Sequence, residues 1–158
     1  MRPESPHNLS RFFGESGAAF SSKSGDWDTP QAFFDKLDEQ FEFTLDPCTT
    51  EASAKCEKYF TKEDDGLAQD WKGHTVFCNP PYGRAIGAWL KKGYQESRKH
   101  NTIVVMLVPA RTDTKWWHDY VMRAKEVHLV RGRLKFGDSD NAAPFPSAVA
   151  IFHSNALY

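Results

Sequence analysis

Four consecutive residues, Asn79-Pro80-Pro81-Tyr82, combine groups suited to chemistry on a flat amine or amide. An exocyclic amino group on an aromatic ring is a poor nucleophile, because its lone pair is delocalised into the ring. A catalyst must accept hydrogen bonds from both N–H bonds and draw the nitrogen toward a tetrahedral shape. Asn79 offers a side-chain carbonyl for one N–H and Pro80 a backbone carbonyl for the other. Proline fixes its own φ and holds the preceding residue extended, so the Pro80 carbonyl is aimed in advance, an instance of preorganised electrostatics. Tyr82 adds a stiff, flat face on which a purine or pyrimidine can stack, a contact worth roughly 1–3 kcal/mol per base. The amide is neutral, so Asn79 is an acceptor rather than a strong base. The plainer reading of the four residues is a proline-rich turn with Tyr82 in packing.

The elements around this motif must deliver it to a ligand. It follows a short apolar run, 75–78, that reads as a central strand, and it precedes a predicted helix over 84–98 with Ile86, Trp89, Leu90 and Tyr94 at helical spacing. Ligands bind at the carboxyl ends of strands in α/β sheets, and Asn79 sits at such an end. Residues 102–108 are continuously apolar, which suits a strand buried on both faces, closed by Pro109. Upstream, Asp26-Trp27-Asp28-Thr29-Pro30 reads as a helix start, with Thr29 as N-cap and Pro30 as the first helical residue. The helix that follows carries Phe33, Phe34, Leu37 and Phe41 on one face. Trp27 and Thr29 can meet an anionic group at that helix start, or serve only as cap and staple. Residues 42–47 alternate as a short strand ending on Asp46 and Pro47. An acid in that place suits a ligand ammonium group or ribose hydroxyls, against the alternative of a turn-forming Asp-Pro. Residues 48–56 read as a short helix or irregular loop and 58–60 as a brief strand. Asp65 can accept from an adenine amino group or remain a solvated turn acid. A second helix is predicted over 114–122, with Trp116, Trp117, Tyr120 and Val121 mostly in the core. The segments 126–130, 133–136 and 147–152 read as strands joined without helices, an antiparallel hairpin appended to a parallel sheet.

A chain of 158 residues is most simply one domain with a real core. Its 40% hydrophobic and 26% charged residues describe a soluble globular protein. No stretch approaches the roughly 20 apolar residues that span a bilayer, and the N-terminus lacks a signal-peptide pattern, so the expected place is the cytoplasm. Cys48, Cys56 and Cys78 are an odd number without a CxxC pair, which favours neither a disulfide framework nor a zinc site; no metal is expected. Residues 1–25 read as a mobile arm and 26–158 as a single domain. The net charge of −1 conceals an asymmetry: residues 1–79 carry 8 Lys+Arg against 15 Asp+Glu, and residues 80–158 carry 12 against 6. The basic half begins at the motif. Such a distribution can mark a phosphate-facing surface; unevenly charged solvated surface is the alternative.

The ordered set Trp27-x-Thr29-Pro30, Phe43-Thr44-Leu45-Asp46, Asp64-Asp65-Gly66-Leu67-Ala68-Gln69-Asp70-Trp71, Asn79-Pro80-Pro81-Tyr82-Gly83, Pro109-Ala110-Arg111-Thr112-Asp113-Thr114, Arg131-Gly132-Arg133-Leu134-Lys135-Phe136 and Pro144-Phe145-Pro146-Ser147-Ala148 resembles the phage-type DNA N6-adenine methyltransferase (Dam) family. The resemblance implies a Rossmann-like class I methyltransferase fold, α/β with a mostly parallel sheet and a C-terminal antiparallel hairpin. It also implies S-adenosylmethionine as methyl donor, adenine in double-stranded DNA as acceptor, and a phage or prophage setting in which restriction–modification is one context. Carried over, Asn79, Pro80, Pro81 and Tyr82 are catalytic. Trp27, Thr29, Pro30, Asp46, Asp65 and Asn79 are candidates for cofactor binding, and Tyr82, Arg84, Arg111, Arg133, Phe136 and Phe145 for substrate contact. Two departures stand out: Asp46 is followed by Pro47-Cys48-Thr49 in place of a Gly-rich loop, and no large target-recognition insert is evident. The implied mechanism flips the adenine out of the duplex and needs no covalent enzyme intermediate. Other readings are methylation of an RNA base or a protein glutamine amide, and a catalytically silent nucleic-acid-binding module of the same fold.

Overall fold

Apolar residues at successive positions of 104–108 and 148–152 build the middle of a four-stranded sheet. The structure, a computed structural model, describes residues 28–137 and 141–154; the expected arm 1–25 and Trp27 lie outside the described residues. The helices are α1 (Gln31–Phe41), α2 (Ile86–Ser97) and α3 (Lys115–Asp119), and the strands β1 (Thr75–Cys78), β2 (Ile103–Pro109), β3 (Glu126–Leu129) and β4 (Ser147–Phe152). The sheet order is β1-β2-β4-β3. β1 and β2 run parallel with Cys78 opposite Met106, and β4 lies antiparallel to both β2 and β3. One of the three strand pairings is therefore parallel. Beyond β1, single parallel bridges join Leu45 to Val76 and Asp46 to Tyr59.

Strand residues point alternately to opposite faces, and both faces here are covered. On one face Phe77, Val105, Leu107, Val149 and Ile151 pack with Phe33, Phe34, Leu37 and Phe41 of α1. On the other, Val76, Cys78, Val104, Met106 and Phe152 pack with Ile86, Trp89 and Leu90 of α2 and Trp117 of α3. Two buried layers explain why β2 and β4 read as unbroken apolar runs. α1 stops at Glu42, which donates its N–H to the Asp38 carbonyl and then turns the chain away with a left-handed φ of 55°. The Asp38 side chain then accepts from the Phe43 N–H at 2.8 Å, so this helix end leaves few orphan groups.

Three expectations need correction. Pro30, not Thr29, occupies the N-cap position of α1, with an extended ψ of 133°, and no side chain caps the helix. The predicted helix over 114–122 divides into α3 and a 3₁₀ turn at Val121–Arg123. Residues 48–56 take the irregular one of their two expected forms, a turn-containing loop. The segment 133–136 is not a strand: β3 pairs with β4 instead, and 133–136 packs over the α1 face of the sheet. Its alternation is real in another sense: Leu134 and Phe136 are buried over the α1 face while Arg133 and Lys135 are exposed. The antiparallel hairpin is thus formed by β3 and β4 across a long connection. Among the described residues, no helix is long and apolar enough to cross a membrane, and no cluster of His, Cys, Asp and Glu is placed to hold a metal ion.

Candidate active site

β1 ends at Cys78, so Asn79 emerges at its carboxyl end, beside the carboxyl half of parallel β2. There the chain borders a cleft of about 470 Å³ lined by Thr29, Asp46, Asp65, Phe77, Asn79, Pro80, Pro81 and Trp89, together with the loop residues Cys48, Thr49, Ser53 and Lys55. Asn79 is held across 50 residues of chain: its Nδ2 donates to Thr29 Oγ1 at 3.0 Å. With the amino side turned toward Thr29, the carbonyl Oδ1 is the remaining polar end of the amide. Pro80 is buried and Pro81 exposed.

Asp46 forms the opposite polar feature. It is 3% exposed, and its Oδ2 accepts from the Lys55 N–H at 3.0 Å. Burial pushes its carboxyl up to about 7, opposed by the Lys55 and Cys48 backbone N–H groups, the Lys55 charge and the Thr49 hydroxyl. The proton of this acid is therefore exchangeable near neutrality. Burial, and then the Asp46 charge, push the Cys48 thiol up to about 12, and burial raises Cys78 as well. These cysteines are neutral thiols at pH 7 and not nucleophiles.

The loop after Asp46 shapes the cleft without glycine. It folds back so that the Lys55 N–H reaches the carboxylate, and two polar ties fasten it to the start of α1: Ser53 Oγ donates to Asp28 Oδ2, and Lys55 Nζ to Gln31 Oε1, each at 2.9 Å. The glycine the cleft does need is Gly66. A Cβ there would lie 2.1 Å from the Pro47 carbonyl oxygen and 2.9 Å from Trp89. Asp65, just before it, is exposed and holds a left-handed φ of 58° at the rim.

The structure brings Thr29, Asp46, Asp65, Asn79, Pro80 and Pro81 to one cleft and sets the other described candidates apart. Pro30 starts α1 and does not line it. Tyr82 is turned from it: its ring meets Phe145 edge-on at 5.4 Å and Phe136 at 6.3 Å, and its hydroxyl donates to the Leu107 carbonyl at 3.5 Å. Burial raises its phenol well above the ordinary range, so it is a neutral donor. Arg111 lies 5.7 Å over the Phe145 ring, which joins it to the same aromatic group. Arg133 reaches the Ala143 carbonyl at 3.5 Å, and Arg84 is exposed just after the motif. Sequence reasoning missed Ser53, Lys55 and Trp89 as cleft residues. The available signal was the polar run after Asp46-Pro47, where a loop must wrap a buried acid.

Comparison with known proteins adds an independent line. A sequence model described as DNA N-6-adenine-methyltransferase (Dam) matches residues 18–150. A protein of Haemophilus phage HP1 (strain HP1c1) named DNA N-6-adenine-methyltransferase is 31% identical over 140 residues, covering 84% of this chain and 80% of the relative. A protein of the same name from Escherichia phage T1 is 32% identical over 110 residues, covering 68% of this chain and 45% of that longer protein.

Proposed function

The chain belongs to the DNA N-6-adenine-methyltransferase (Dam) family, and from that premise we propose that it methylates the exocyclic N6 amine of adenine in double-stranded DNA, with S-adenosylmethionine as donor. The observation that carries the reading is the Asn79 amide, anchored through Nδ2 in the wall of a cleft that also contains the buried acid Asp46.

The cleft suits the donor. About 470 Å³ falls within the roughly 300–1,000 Å³ of small-molecule sites. Its lining pairs acids fit for hydroxyl and ammonium groups, Asp46 and Asp65, with the flat apolar surfaces of Phe77, Pro80, Pro81 and Trp89. Asp46 and Asp65 are the residues that would hold the cofactor, with Thr29 and Asn79 in the same lining. When bound, the cofactor supplies an electrophilic methyl group on a sulfonium.

The chain's own residues do the rest. The Asn79 Oδ1 and the Pro80 carbonyl accept the two N–H bonds of the adenine amine, localising its lone pair as it attacks. Fixed carbonyl dipoles serve this without reorganisation during the reaction, and positioning supplies much of the remaining acceleration. The amine's surplus proton passes to solvent water after transfer, since a neutral amide does not take it. A paired adenine is out of reach inside the stack, so the base is flipped. Tyr82, Phe136 and Phe145, already clustered, are the aromatic surface beside which it lodges, with Pro81 fixing the approach of Tyr82. Arg84, Arg111 and Arg133 are exposed cations for the DNA backbone.

We further read the fold as a Rossmann-like class I methyltransferase, in which 44–46 and 58–60 continue the parallel run beyond β1. The bridges Leu45 to Val76 and Asp46 to Tyr59 support this. Residues 26–158 act as one domain in the host cytoplasm. The test is radiolabelled methyl transfer by the purified protein to duplex DNA, RNA and glutamine peptides. Label in N6-methyladenine of duplex DNA is expected; label confined to RNA or peptide would overturn the reading.

A further inference from the structure

We propose that Thr29 is a positioning residue for the amine acceptor, whose hydroxyl holds the Asn79 amide in the one orientation that presents Oδ1 to the substrate. This rests on the role given to Asn79 above. The two ends of an asparagine amide are nearly the same shape, and its terminal torsion is broad and roughly two-fold. Nothing intrinsic to Asn79 therefore separates carbonyl-forward from amino-forward. The difference is decisive chemically. An adenine amine is a donor with a delocalised lone pair, so an amino-forward Asn79 would set donors against donors.

Thr29 holds the carbonyl-forward arrangement: a threonine hydroxyl can donate or accept, and here it accepts. Its Oγ1 accepts from Asn79 Nδ2 at 3.0 Å, which occupies the amino end against the cleft wall. The residue is built to stay in place. It is 5% exposed and β-branched, hence stiff at χ1. Pro30 behind it restricts its backbone to extended conformations. One turn later α1 is anchored in the core by Phe33, Phe34 and Leu37, the last of them fully buried. The hydroxyl is also not committed to capping, since no side chain caps α1. The Thr29-Pro30 pair that reads as a helix start in the sequence is, in the fold, a rigid post against the amide of a residue 50 positions away.

Thr29 also lines the cleft, so direct cofactor contact is the competing role, and the two separate experimentally. Thr29→Val keeps the shape and removes the acceptor; Thr29→Ser keeps the acceptor. For Thr29→Val we expect kcat to fall about 10- to 100-fold, the scale of a slightly misplaced catalytic group. S-adenosylmethionine affinity by calorimetry and KM for DNA should stay within about twofold, the scale left when no binding contact is lost. Thr29→Ser should restore most of kcat. The proposal is overturned if kcat is unchanged in the valine variant, if the serine variant falls equally far, or if the whole loss lies in cofactor affinity. Should the valine variant not fold, Thr29→Ala carries the same comparison. A readout free of turnover is the Asn79 side-chain NH2 pair in ¹H–¹⁵N spectra, which should shift and exchange faster in the valine variant and be kept by serine. An unresponsive pair overturns the proposal. A responsive pair in a protein that methylates no DNA upholds it and overturns only the functional reading.

Discussion

Replacing Asp46 by asparagine is expected to stabilise this protein more at pH 7.5 than at pH 5. Asp46 is 3% exposed, and its carboxyl is raised from 3.8 to about 7, first by burial. A folded-state value above the unfolded one means that the folded chain binds this proton more tightly. Stability is then highest below the unfolded value and is lost as pH rises from about 4 to about 7. At 1.36 kcal/mol per unit, the full loss is about 4 kcal/mol, of which about 2–3 kcal/mol falls between pH 5 and pH 7.5. Asparagine carries no charge at either pH. It keeps one acceptor for the Lys55 N–H but offers less to the Cys48 N–H and the Thr49 hydroxyl. That loss is nearly independent of pH, so the change in the variant's advantage between the two pH values isolates the charge term. Urea unfolding of both proteins at both pH values measures it. An advantage that does not grow with pH would refute the burial argument. Function should move the other way: if the ionised carboxylate receives the cofactor, wild-type affinity for S-adenosylmethionine falls about tenfold from pH 8 to pH 6, and the asparagine variant binds weakly at both.

Two glycines offer a matched pair. Gly66→Ala puts a Cβ 2.1 Å from the Pro47 carbonyl, whose backbone cannot easily yield, whereas Gly93→Ala meets the Met106 sulfur at 2.6 Å, on a flexible side chain. Gly66→Ala is expected to cost about 1–3 kcal/mol in urea unfolding and to weaken cofactor binding, and Gly93→Ala to cost less and leave binding intact; equal costs would contradict the packing described. Arg84→Gln should lower the slope of log affinity for duplex DNA against log salt by about one. A slope equal to that of the wild type would remove Arg84 from the phosphate-facing surface.

The parts of the molecule legible in the sequence are those where one local rule dominates. α1 and α2 announce themselves by helical spacing of Phe33, Leu37 and Phe41, and of Ile86, Trp89 and Leu90; β2 and β4 do so by continuous apolar residues. Asp46 and Asn79 converge on one cleft because each closes a strand-like run, and Asp65 joins them from the turn before Gly66. What was not legible depended on neighbours that local pattern cannot see. Thr29 has the residue type of an N-cap, but its hydroxyl is taken by a side chain 50 residues away. Residues 133–136 alternate like a strand, yet Leu134 and Phe136 pack over the α1 face and the segment joins no ladder. Tyr82 reads as an open stacking face, while the fold sets it edge-on to Phe145 and Phe136. The loop after Asp46 lacks glycine, and only its return to bond the carboxylate through the Lys55 N–H reveals it as part of the cleft.

The most direct test of the central claim pairs Asn79→Ala with the wild-type protein on adenine-containing duplex DNA, with N6-methyladenine quantified by mass spectrometry and S-adenosylmethionine affinity measured on the same preparations. The wild type is expected to methylate and the variant to lose turnover, by at least about 100-fold, the scale of removing one preorganised acceptor or donor at a reacting group, while cofactor affinity changes little. Substantial methylation by Asn79→Ala would contradict the assignment of its amide as the acceptor that activates the amine.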